Sequence, residues 1–252
     1  AKAKPDSLTV EPETIPPELK ELKQWVLWRY KLGQNSKGEW KWKKVPHQPD
    51  GQKAKSNDPT TWHTWEACVV AYHDGFAKFD GIMFALSADD PYTFIDLDHC
   101  ADPLDGFVEP WANGIVGQLG SYTEKSPSNT VIHVLVEAKL PASGHNDQEK
   151  GLEVYDKERF VTMTGHSVGD VPIMECQEAV DALVKKNWPQ DFEPPAPPVK
   201  HPIDYTQSHQ FSDDEIIGLM GNAANGTKIM ALWKGEFAGY ASQSESDLAL
   251  CN

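Results

Sequence analysis

Cysteine is scarce in this 252-residue sequence, and its four copies stand far apart. They are Cys68, Cys100, Cys176 and Cys251. None belongs to a Cys-x-x-Cys pair, so the sequence shows neither the usual zinc-binding pattern nor a disulfide framework. Free thiols in a reducing compartment are the remaining interpretation, which predicts a cytoplasmic protein.

Long apolar runs are also missing. No stretch approaches the roughly 20 apolar residues that a membrane-spanning helix needs. The N-terminus lacks the charged-then-apolar pattern of a secretory leader. We therefore expect a protein with no membrane association.

Positive charge is the third shortage. The chain has 23 Lys and Arg residues against 38 Asp and Glu residues, a formal net charge of −15. This balance excludes a protein that coats nucleic acid through its overall charge. An enzyme with one local basic groove stays possible, because acidic surface elsewhere disfavours nonspecific binding. The hydrophobic content of 39% is that of a globular protein with a sizeable core.

Proline divides the chain into segments. Residues 1–20 are rich in Pro and Glu and are predicted to be a flexible tail with little to bury. Residues 21–188 form the main domain. Six prolines between positions 189 and 202 predict an extended linker over residues 189–210. Residues 211–252 have helical patterns that stop without a cap, which predicts a truncated helical domain.

Hydrophobic periodicity predicts interleaved strands and helices, and therefore an α/β or α+β fold. Two pairs of predicted strands, 81–86 with 92–97 and 152–155 with 160–164, are each joined by a short turn. The other predicted strands are 25–28, 40–45 and 131–137. The predicted helices are 60–76, 110–119, 177–186 and one that begins after a capping box at Ser212.

The sharpest chemical signal is the pair Asp96 and Asp98. Residues two apart on a strand point to the same side, so both carboxylates share the face opposite the core. Two such carboxylates repel each other unless a cation lies between them, and oxygen ligands suit Mg²⁺ or Mn²⁺. Two solvated aspartates at a strand end are the alternative, because Asp-x-Asp triplets are common.

Glu153 supplies a possible third carboxylate. It alternates with Leu152 and Val154, so it leaves the core side of its strand. Facing Asp96 and Asp98, it would complete a cradle for two metal ions, which activate an attacking hydroxyl and stabilise a leaving pyrophosphate. A surface glutamate is the alternative.

A turn rich in hydroxyl groups precedes the predicted strand 131–137. The hydroxyls of Ser126 and Ser128 and the backbone amides of this turn can hold phosphate oxygens. His133, on the face opposite its apolar neighbours, can donate to a triphosphate. A histidine on a strand is usually structural, so the interpretation depends on the turn beside it.

Arg159 begins a predicted strand that ends at Thr164. From these two positions, Arg159 or Thr164 can present a polar group to a nucleotide. An ordinary strand and turn is the alternative.

Residues 29–55 form a basic stretch, with eight Lys and Arg residues against two acidic ones. Trp40 and Trp42 stand among the lysines. Charge interleaved with aromatic rings is typical of a groove that follows a single-stranded nucleic acid, and a solvated hairpin with core tryptophans is the alternative. The candidate contacts are Lys41, Lys43, Lys44, Lys53 and Lys55.

The order of these motifs resembles the archaeo-eukaryotic primase superfamily, in its phage and plasmid primase-polymerase branch. The three motifs of that superfamily are a hydrophobic Asp-x-Asp strand, a Ser-x-His-type strand and a hydrophobic-acidic strand. Here they are residues 95–98, 126–133 and 152–154, and the resemblance covers residues 21–175.

The resemblance implies a two-part catalytic core over residues 21–188, with one half similar to the sheet of an RNA-recognition motif. It implies a template-directed nucleotidyltransferase in which Asp96, Asp98 and Glu153 bind Mg²⁺ or Mn²⁺. His133 is then assigned to the incoming triphosphate, with Arg159 and the serines as helpers. The implied partners are a single-stranded or primed DNA template, dNTPs or NTPs, and a fused or associated helicase.

Two residues depart from the superfamily pattern. Relatives carry glycines in the turn before the motif-two histidine, where Asn129 and Val131 stand here. Asn tolerates a positive φ angle and Val does not. Either the turn follows another path or the triphosphate site is impaired.

Two other functions stay open. A metal-dependent nuclease also uses acidic clusters, but it does not need the serine turn and His133. A single-stranded-DNA-binding module with a decayed active site is the non-enzymatic alternative. A rolling-circle replication initiator is disfavoured, because Val131 fills the position where a second histidine is required.

Overall fold

In a computed structural model of the chain, residues 3–34, 38–74, 78–192, 212–223 and 225–235 are described. They form two antiparallel sheets with helices between the strands, which confirms the predicted α+β class. The strands are β1 (Trp25–Gln34), β2 (Trp40–His47), β3 (Gly81–Leu86), β4 (Tyr92–Leu97), β5 (Thr123–Lys125), β6 (Ile132–Glu137), β7 (His145–Asp147), β8 (Leu152–Tyr155) and β9 (Arg159–Met163). The α-helices are α1 (Pro17–Lys20), α2 (Trp65–Asp74), α3 (Pro110–Leu119), α4 (Gln177–Asn187), α5 (Asp213–Asn222) and α6 (Gly226–Trp233). Within the described ranges, no helix is long and apolar enough to cross a membrane.

Sheet A has four strands in the order β2-β1-β3-β9. The continuous apolar run of β3 is buried along its whole length, which is typical of a strand covered on both faces. β2 lies at the edge, and two of its three exposed residues are lysines, a composition that discourages edge-to-edge association.

Sheet B has five strands in the order β5-β6-β4-β8-β7. Ile95 and Leu97 of β4 are buried in a cluster that includes apolar side chains of α3 and α4. Asp96 therefore lies on the other face, as the alternation of the sequence predicts. Two strands of this sheet, β5 and β7, are only three residues long and were not predicted.

The short turns at 87–91 and 156–158 connect the two sheets. The first joins β3 of sheet A to β4 of sheet B, and the second joins β8 of sheet B to β9 of sheet A. The strands in each predicted pair are thus neighbours in sequence but not in a sheet. The buried Asp90 carboxylate fixes the first turn, because it accepts hydrogen bonds from the backbone N–H groups of Ser87 and Tyr92, both at 2.9 Å.

The predicted helix over residues 60–76 is wrong at its start. Residues 59–61 form a 3-10 helix, and α2 begins only at Trp65. Between them, His63 pairs with Trp25, exchanging backbone hydrogen bonds of 2.8 and 3.0 Å. The extended pairing competes with the helix, and tertiary contact decides between them.

Residues 8–15, here called the strap, pack on the main domain. Val10 and Ile15 are 7% and 1% exposed, and the backbone N–H of Glu11 donates to the carbonyl of Thr164 at 2.8 Å. The expectation of a tail with little to bury is wrong for this segment. A few apolar side chains among prolines are enough, because each buries most of its surface in a core that is formed by distant residues.

The chain divides into two compact units, residues 1–194 and 195–252. In the second, α5 begins with the predicted capping box, in which Ser212 and Glu215 exchange hydrogen bonds. α5 and α6 pack on each other. Most of the predicted linker, and the apolar pattern at residues 246–251, lie outside the described residues.

The cysteines within the described residues are free thiols, as predicted. Burial raises the pKa of Cys68 to about 12 and that of Cys100 to about 11. Both therefore stay protonated at neutral pH and act as small apolar side chains.

Candidate active site

A cleft of about 660 Å³ is lined by residues of both sheets. Sheet A contributes Tyr30, Trp42 and Lys44, and sheet B contributes Asp96 and His133. One wall is therefore aromatic and basic, and the other is acidic. The cleft brings the three sequence motifs together.

Five polar residues form one row across sheet B, here called the polar row. In strand order they are Glu124, His133, Asp96, Glu153 and Asn146, each directly opposite the next. Because directly opposite residues point to the same face, all five side chains lie on the side away from α3 and α4. The register thus places motifs one, two and three beside one another.

Asp96 is the centre of the polar row and its least satisfied member. Its Oδ1 atom is buried and has no hydrogen-bond partner. The pKa of Asp96 is raised to about 6, mainly by burial, which outweighs the lowering by His133. Asp98 and Glu153 raise it further, and Lys44 lowers it. An orphaned carboxylate oxygen beside two further acids is the arrangement that a cation would relieve.

Asp98 follows β4 and is held by its backbone. Its N–H donates to the carbonyl of Gly151 at 2.7 Å. Gly151 has a φ angle of 66°, and a Cβ atom there would lie 2.8 Å from the Asp98 carbonyl oxygen. A glycine is therefore required for the loop before β8 to approach motif one this closely.

Glu153 is held at its place by two neighbours. Asn146 Nδ2 donates to one carboxylate oxygen at 2.6 Å, and the Tyr155 hydroxyl donates to the other at 2.8 Å. Within the described ranges, no group of three or more His, Cys, Asp and Glu side chains is already arranged as a metal site. The carboxylate oxygens of Asp96 and Asp98, with Glu153 beside them, are nevertheless the type of ligand that a hard divalent cation prefers.

Lys44 lies on the opposite wall and faces the acids. Burial lowers the pKa of Lys44, while Asp96 and Asp98 raise it. Its ammonium nitrogen also lies 5.5 Å from the ring centre of Trp28. Lys44 is therefore a cation of the cleft rather than of the open surface.

His133 is 4% exposed and is oriented by Glu124. Its Nδ1 atom lies 3.2 Å from Glu124 Oε1, and its ring packs against Phe94 with 4.8 Å between centroids. The ring lines the cleft, so Nε2 is the nitrogen that is available to a ligand.

The motif-two turn presents a chain of hydroxyl groups to the cleft. Ser126 and Ser128 Oγ atoms lie 3.0 Å apart, and Thr130 Oγ1 lies 2.8 Å from Ser128 Oγ. Asn129 has a φ angle of 58°, the left-handed conformation for which glycine is usual. Val131 has no positive φ angle, and its side chain lines the cleft. The backbone at position 129 therefore accommodates Asn in place of the glycine of relatives. At position 131, Val takes up space in the cleft without requiring an unusual backbone conformation.

The remaining predicted site residues differ in whether they line the cleft: Arg159 does, whereas Thr164 and four of the lysines do not. Arg159 lines the cleft and lies over the Tyr155 ring, 4.0 Å from its centre. Thr164 is 1% exposed, and its hydroxyl donates to the Lys125 carbonyl rather than reaching the cleft lining. The cleft lining also lacks the exposed lysines Lys41, Lys43, Lys53 and Lys55.

Several residues of the site were missed by sequence reasoning. Glu124 and Asn146 stand on the three-residue strands, which are too short to show a period. His99, which lines the cleft with a φ angle of 53°, directly follows the Asp-x-Asp motif. A left-handed backbone conformation at a residue other than glycine cannot be recognised from the sequence, so only the structure shows that His99 belongs to the site. Tyr155, two residues after Glu153 on the same strand face, is the one member that alternation alone indicates.

Part of the chain is similar to a protein named DNA primase-polymerase from Nitratiruptor phage NrS-1. The two are 34% identical over an alignment of 149 residues, and the match covers 56% of this chain and 19% of the phage protein. The chain thus matches only a minor part of the length of that curated relative. No family model matches the chain. The similarity confirms the resemblance to phage-type primase-polymerases that the three motifs indicate.

Proposed function

We propose that the chain is a template-directed nucleotidyltransferase that makes or extends DNA or RNA primers in phage or plasmid replication. The observation that supports this best is the polar row, which joins Asp96, His133 and Glu153 of three separate motifs on adjacent strands. The similarity to a phage DNA primase-polymerase supports primer or strand synthesis in general. The activity would take place in the cytoplasm of an infected or plasmid-bearing cell.

Asp96 and Asp98, with Glu153 beside them, would hold Mg²⁺ or Mn²⁺. Such ions, when bound, lower the pKa of an attacking 3′-hydroxyl and neutralise charge on the leaving pyrophosphate. The residues of the chain then have separable tasks. His133 Nε2 and the hydroxyls of Ser126 and Ser128 bind the triphosphate from one side, and Arg159 approaches from the sheet A side. Lys44 balances the charge of the acids.

The aromatic wall suits the bases of a single strand. Tyr30 and Trp42 lie in edge contact with 6.3 Å between ring centres, and both line the cleft. Base stacking on such rings is sequence-tolerant, which a polymerase requires of its template site. A single-stranded or primed DNA template and dNTPs or NTPs are therefore the proposed partners. A fused or associated helicase is the further partner that the resemblance implies.

Trp42→Ala is expected to weaken binding of single-stranded DNA by roughly tenfold, because one stacked base is lost. Trp40→Ala is the matched control: this tryptophan stands on the same strand, is 57% exposed and does not line the cleft. It should change affinity less than twofold. Fluorescence anisotropy with a labelled oligonucleotide measures both. An equal loss in the two variants would place the strand on the exposed hairpin instead.

Val131→Gly is expected to lower the KM for dNTP severalfold, because it clears the cleft beside the hydroxyl chain. Asn129→Gly serves as the comparison. Position 129 already has the left-handed backbone that glycine adopts, so activity should stay as in the parent. Steady-state primer extension gives both KM values. A KM that is unchanged by Val131→Gly would show that the side chain leaves the triphosphate enough room.

Primer extension on a single-stranded template tests the proposed function directly. The chain with dNTPs and Mg²⁺ or Mn²⁺ should lengthen the primer, and Asp98→Ala should abolish extension while the far-UV circular dichroism stays unchanged. A shortened primer would establish a nuclease instead. A bound but unextended primer would support the DNA-binding module with a decayed site.

A further inference from the structure

Glu124 is a buried carboxylate with an unusual number of donors. Its side chain is 1% exposed and accepts hydrogen bonds from the backbone N–H groups of Thr164 and Gly165 and from the Tyr122 hydroxyl. All of these contacts are between 2.8 and 3.1 Å. Burial raises the pKa of Tyr122, and the Glu124 charge raises it further, so this hydroxyl remains a donor.

These donors leave one lone pair of Glu124 Oε1 available for another partner. Glu124 Oε1 faces His133 Nδ1 at 3.2 Å, and Glu124 stands directly opposite His133 in the register of β5 and β6. An ionised carboxylate only accepts hydrogen bonds, so the Nδ1 atom that faces it must carry a hydrogen. The donors around Glu124 thus orient the carboxylate, and the carboxylate orients the imidazole.

We propose that Glu124 is a positioning residue that keeps a hydrogen on His133 Nδ1 and directs Nε2 into the cleft. The role rests on the proposed function, in which Nε2 meets the triphosphate of an incoming nucleotide. With Nδ1 hydrogen-bonded to the Glu124 carboxylate, the ring is held in one orientation, so Nε2 keeps its direction into the cleft.

The strap holds in place the backbone groups that donate hydrogen bonds to Glu124. Thr164, whose N–H donates to Glu124, is held in turn by its carbonyl, which accepts the N–H of Glu11 at 2.8 Å. Gly165 has a φ angle of 76°, and a Cβ atom there would overlap the Glu11 carbonyl oxygen. The two backbone donors are therefore fixed by packing, and the orientation of the carboxylate does not depend on the ligand.

Glu124→Gln is the informative variant, because it inverts the contact of Oε1 with His133 and keeps the three contacts of Oε2. The Thr164 N–H, which is shared between both oxygens, loses its 3.0 Å contact with Oε1 and keeps the one of 3.1 Å with Oε2. The amide oxygen can remain where it accepts from Tyr122, Thr164 and Gly165. The NH₂ group then faces His133 Nδ1 as a donor, so Nδ1 must become the acceptor and the hydrogen must move to Nε2. The exposed Glu66→Gln, in the first turn of α2, is the matched control.

Nitrogen-15 NMR of the histidine rings tests the hydrogen position without any substrate. In the parent, at a pH where the ring is neutral, the unprotonated nitrogen of His133 should be Nε2. In Glu124→Gln it should be Nδ1, and in Glu66→Gln it should be Nε2 again. A parent ring with hydrogen on Nε2 alone would overturn the proposal, whether or not the chain synthesises DNA.

Kinetics test the consequence. Glu124→Gln should raise the KM for dNTP about tenfold, with kcat and the Kd for template changed less than twofold, because the ring loses the acceptor that orients Nε2 toward the triphosphate. In a His133→Gln background, Glu124→Gln should have no further effect on KM, because it acts through the ring. Additive losses in this double-mutant cycle would overturn the positioning role and indicate a structural one. Absence of synthesis by the parent would count against the proposed function alone, since the NMR result is independent of it.

Discussion

Replacing Asp96 by Asn is expected to give a protein that incorporates no nucleotide yet melts at a higher temperature than the parent above pH 6. The Asp96 side chain is held where its negative charge is poorly solvated. Its Oδ1 atom is buried without a partner, and burial is the main cause that raises its pKa to about 6. The amide is isosteric and uncharged, so it removes the cost of burying the negative charge.

The pH dependence of this effect has a definite sign. The folded pKa of about 6 lies above the ordinary value of 3.8, so the folded state holds the proton more tightly than the unfolded state does. The stability contribution of Asp96 therefore falls as pH rises through this window, and the full cost is present above pH 6. Roughly two pKa units, at about 1.4 kcal/mol each, give up to about 3 kcal/mol of stabilisation by Asn at pH 7.5.

Thermal melts in the presence of a chelator, from pH 4 to pH 8, measure this difference. The gain should be several degrees at pH 7.5 and should vanish near pH 4, where the parent carboxyl is protonated as well. Asp89→Asn, in the exposed turn before β4, is the control and should leave both melting and incorporation unchanged. Adding Mn²⁺ should then raise the melting temperature of the parent and not that of Asp96→Asn. An Asp96→Asn protein that is less stable than the parent at pH 7.5 would show that the carboxylate has a structural partner.

Deleting residues 1–15 is expected to destabilise the main domain by about 3–6 kcal/mol, because the two buried side chains of the strap contribute about 1.5–3 kcal/mol each. The deletion also removes the backbone hydrogen bond from Glu11 to Thr164 and the contact of His166 Nε2 with the Thr9 carbonyl at 2.7 Å. Such a loss is a large fraction of the stability of an ordinary domain.

Urea unfolding of the truncated chain measures this loss. Deletion of residues 1–6 is the matched truncation, because residues 3–6 are exposed and none of the strap is removed. It should shift the midpoint little, whereas deletion of residues 1–15 should lower it strongly and should disturb the His133 ring signals as well. Equal midpoints for the two truncations would mean that the strap binds to the core without contributing to its stability.

The sequence indicated the inner members of the polar row and not the outer ones. Asp96, His133 and Glu153 each stand on a strand long enough to show alternation, so their common exposure to one face followed from the period of two. Glu124 and Asn146 stand on strands of three residues, where no period can be recognised. Their places depend on register between strands that are not consecutive in the chain, and local sequence carries no information on that pairing.

The same limit explains the other differences. The turns at 87–91 and 156–158 have ordinary turn composition. The local sequence therefore does not tell whether the flanking strands pair as a hairpin or belong to two different sheets. The strap has the proline content of a tail, and its burial depends on a surface formed by residues from distant parts of the chain, such as Tyr72 and Thr164. Thr164 was predicted at a nucleotide because it ends a strand beside the motifs, yet its hydrogen bonds are directed at the backbone of β5 and at Glu124.

The two sheet-crossing turns also limit how the two walls of the cleft can move apart. Glu153 and Arg159 lie on opposite walls of the cleft, and only residues 156–158 separate their strands. The walls are tethered a second time at 87–91, where Asp90 fixes the chain. Both turns leave the same end of the sheets, because Leu86 lies opposite Arg159 and Phe94 lies opposite Tyr155, so the two walls are covalently joined at that end of the cleft. Lengthening these two turns would therefore loosen the junction between the walls at that end.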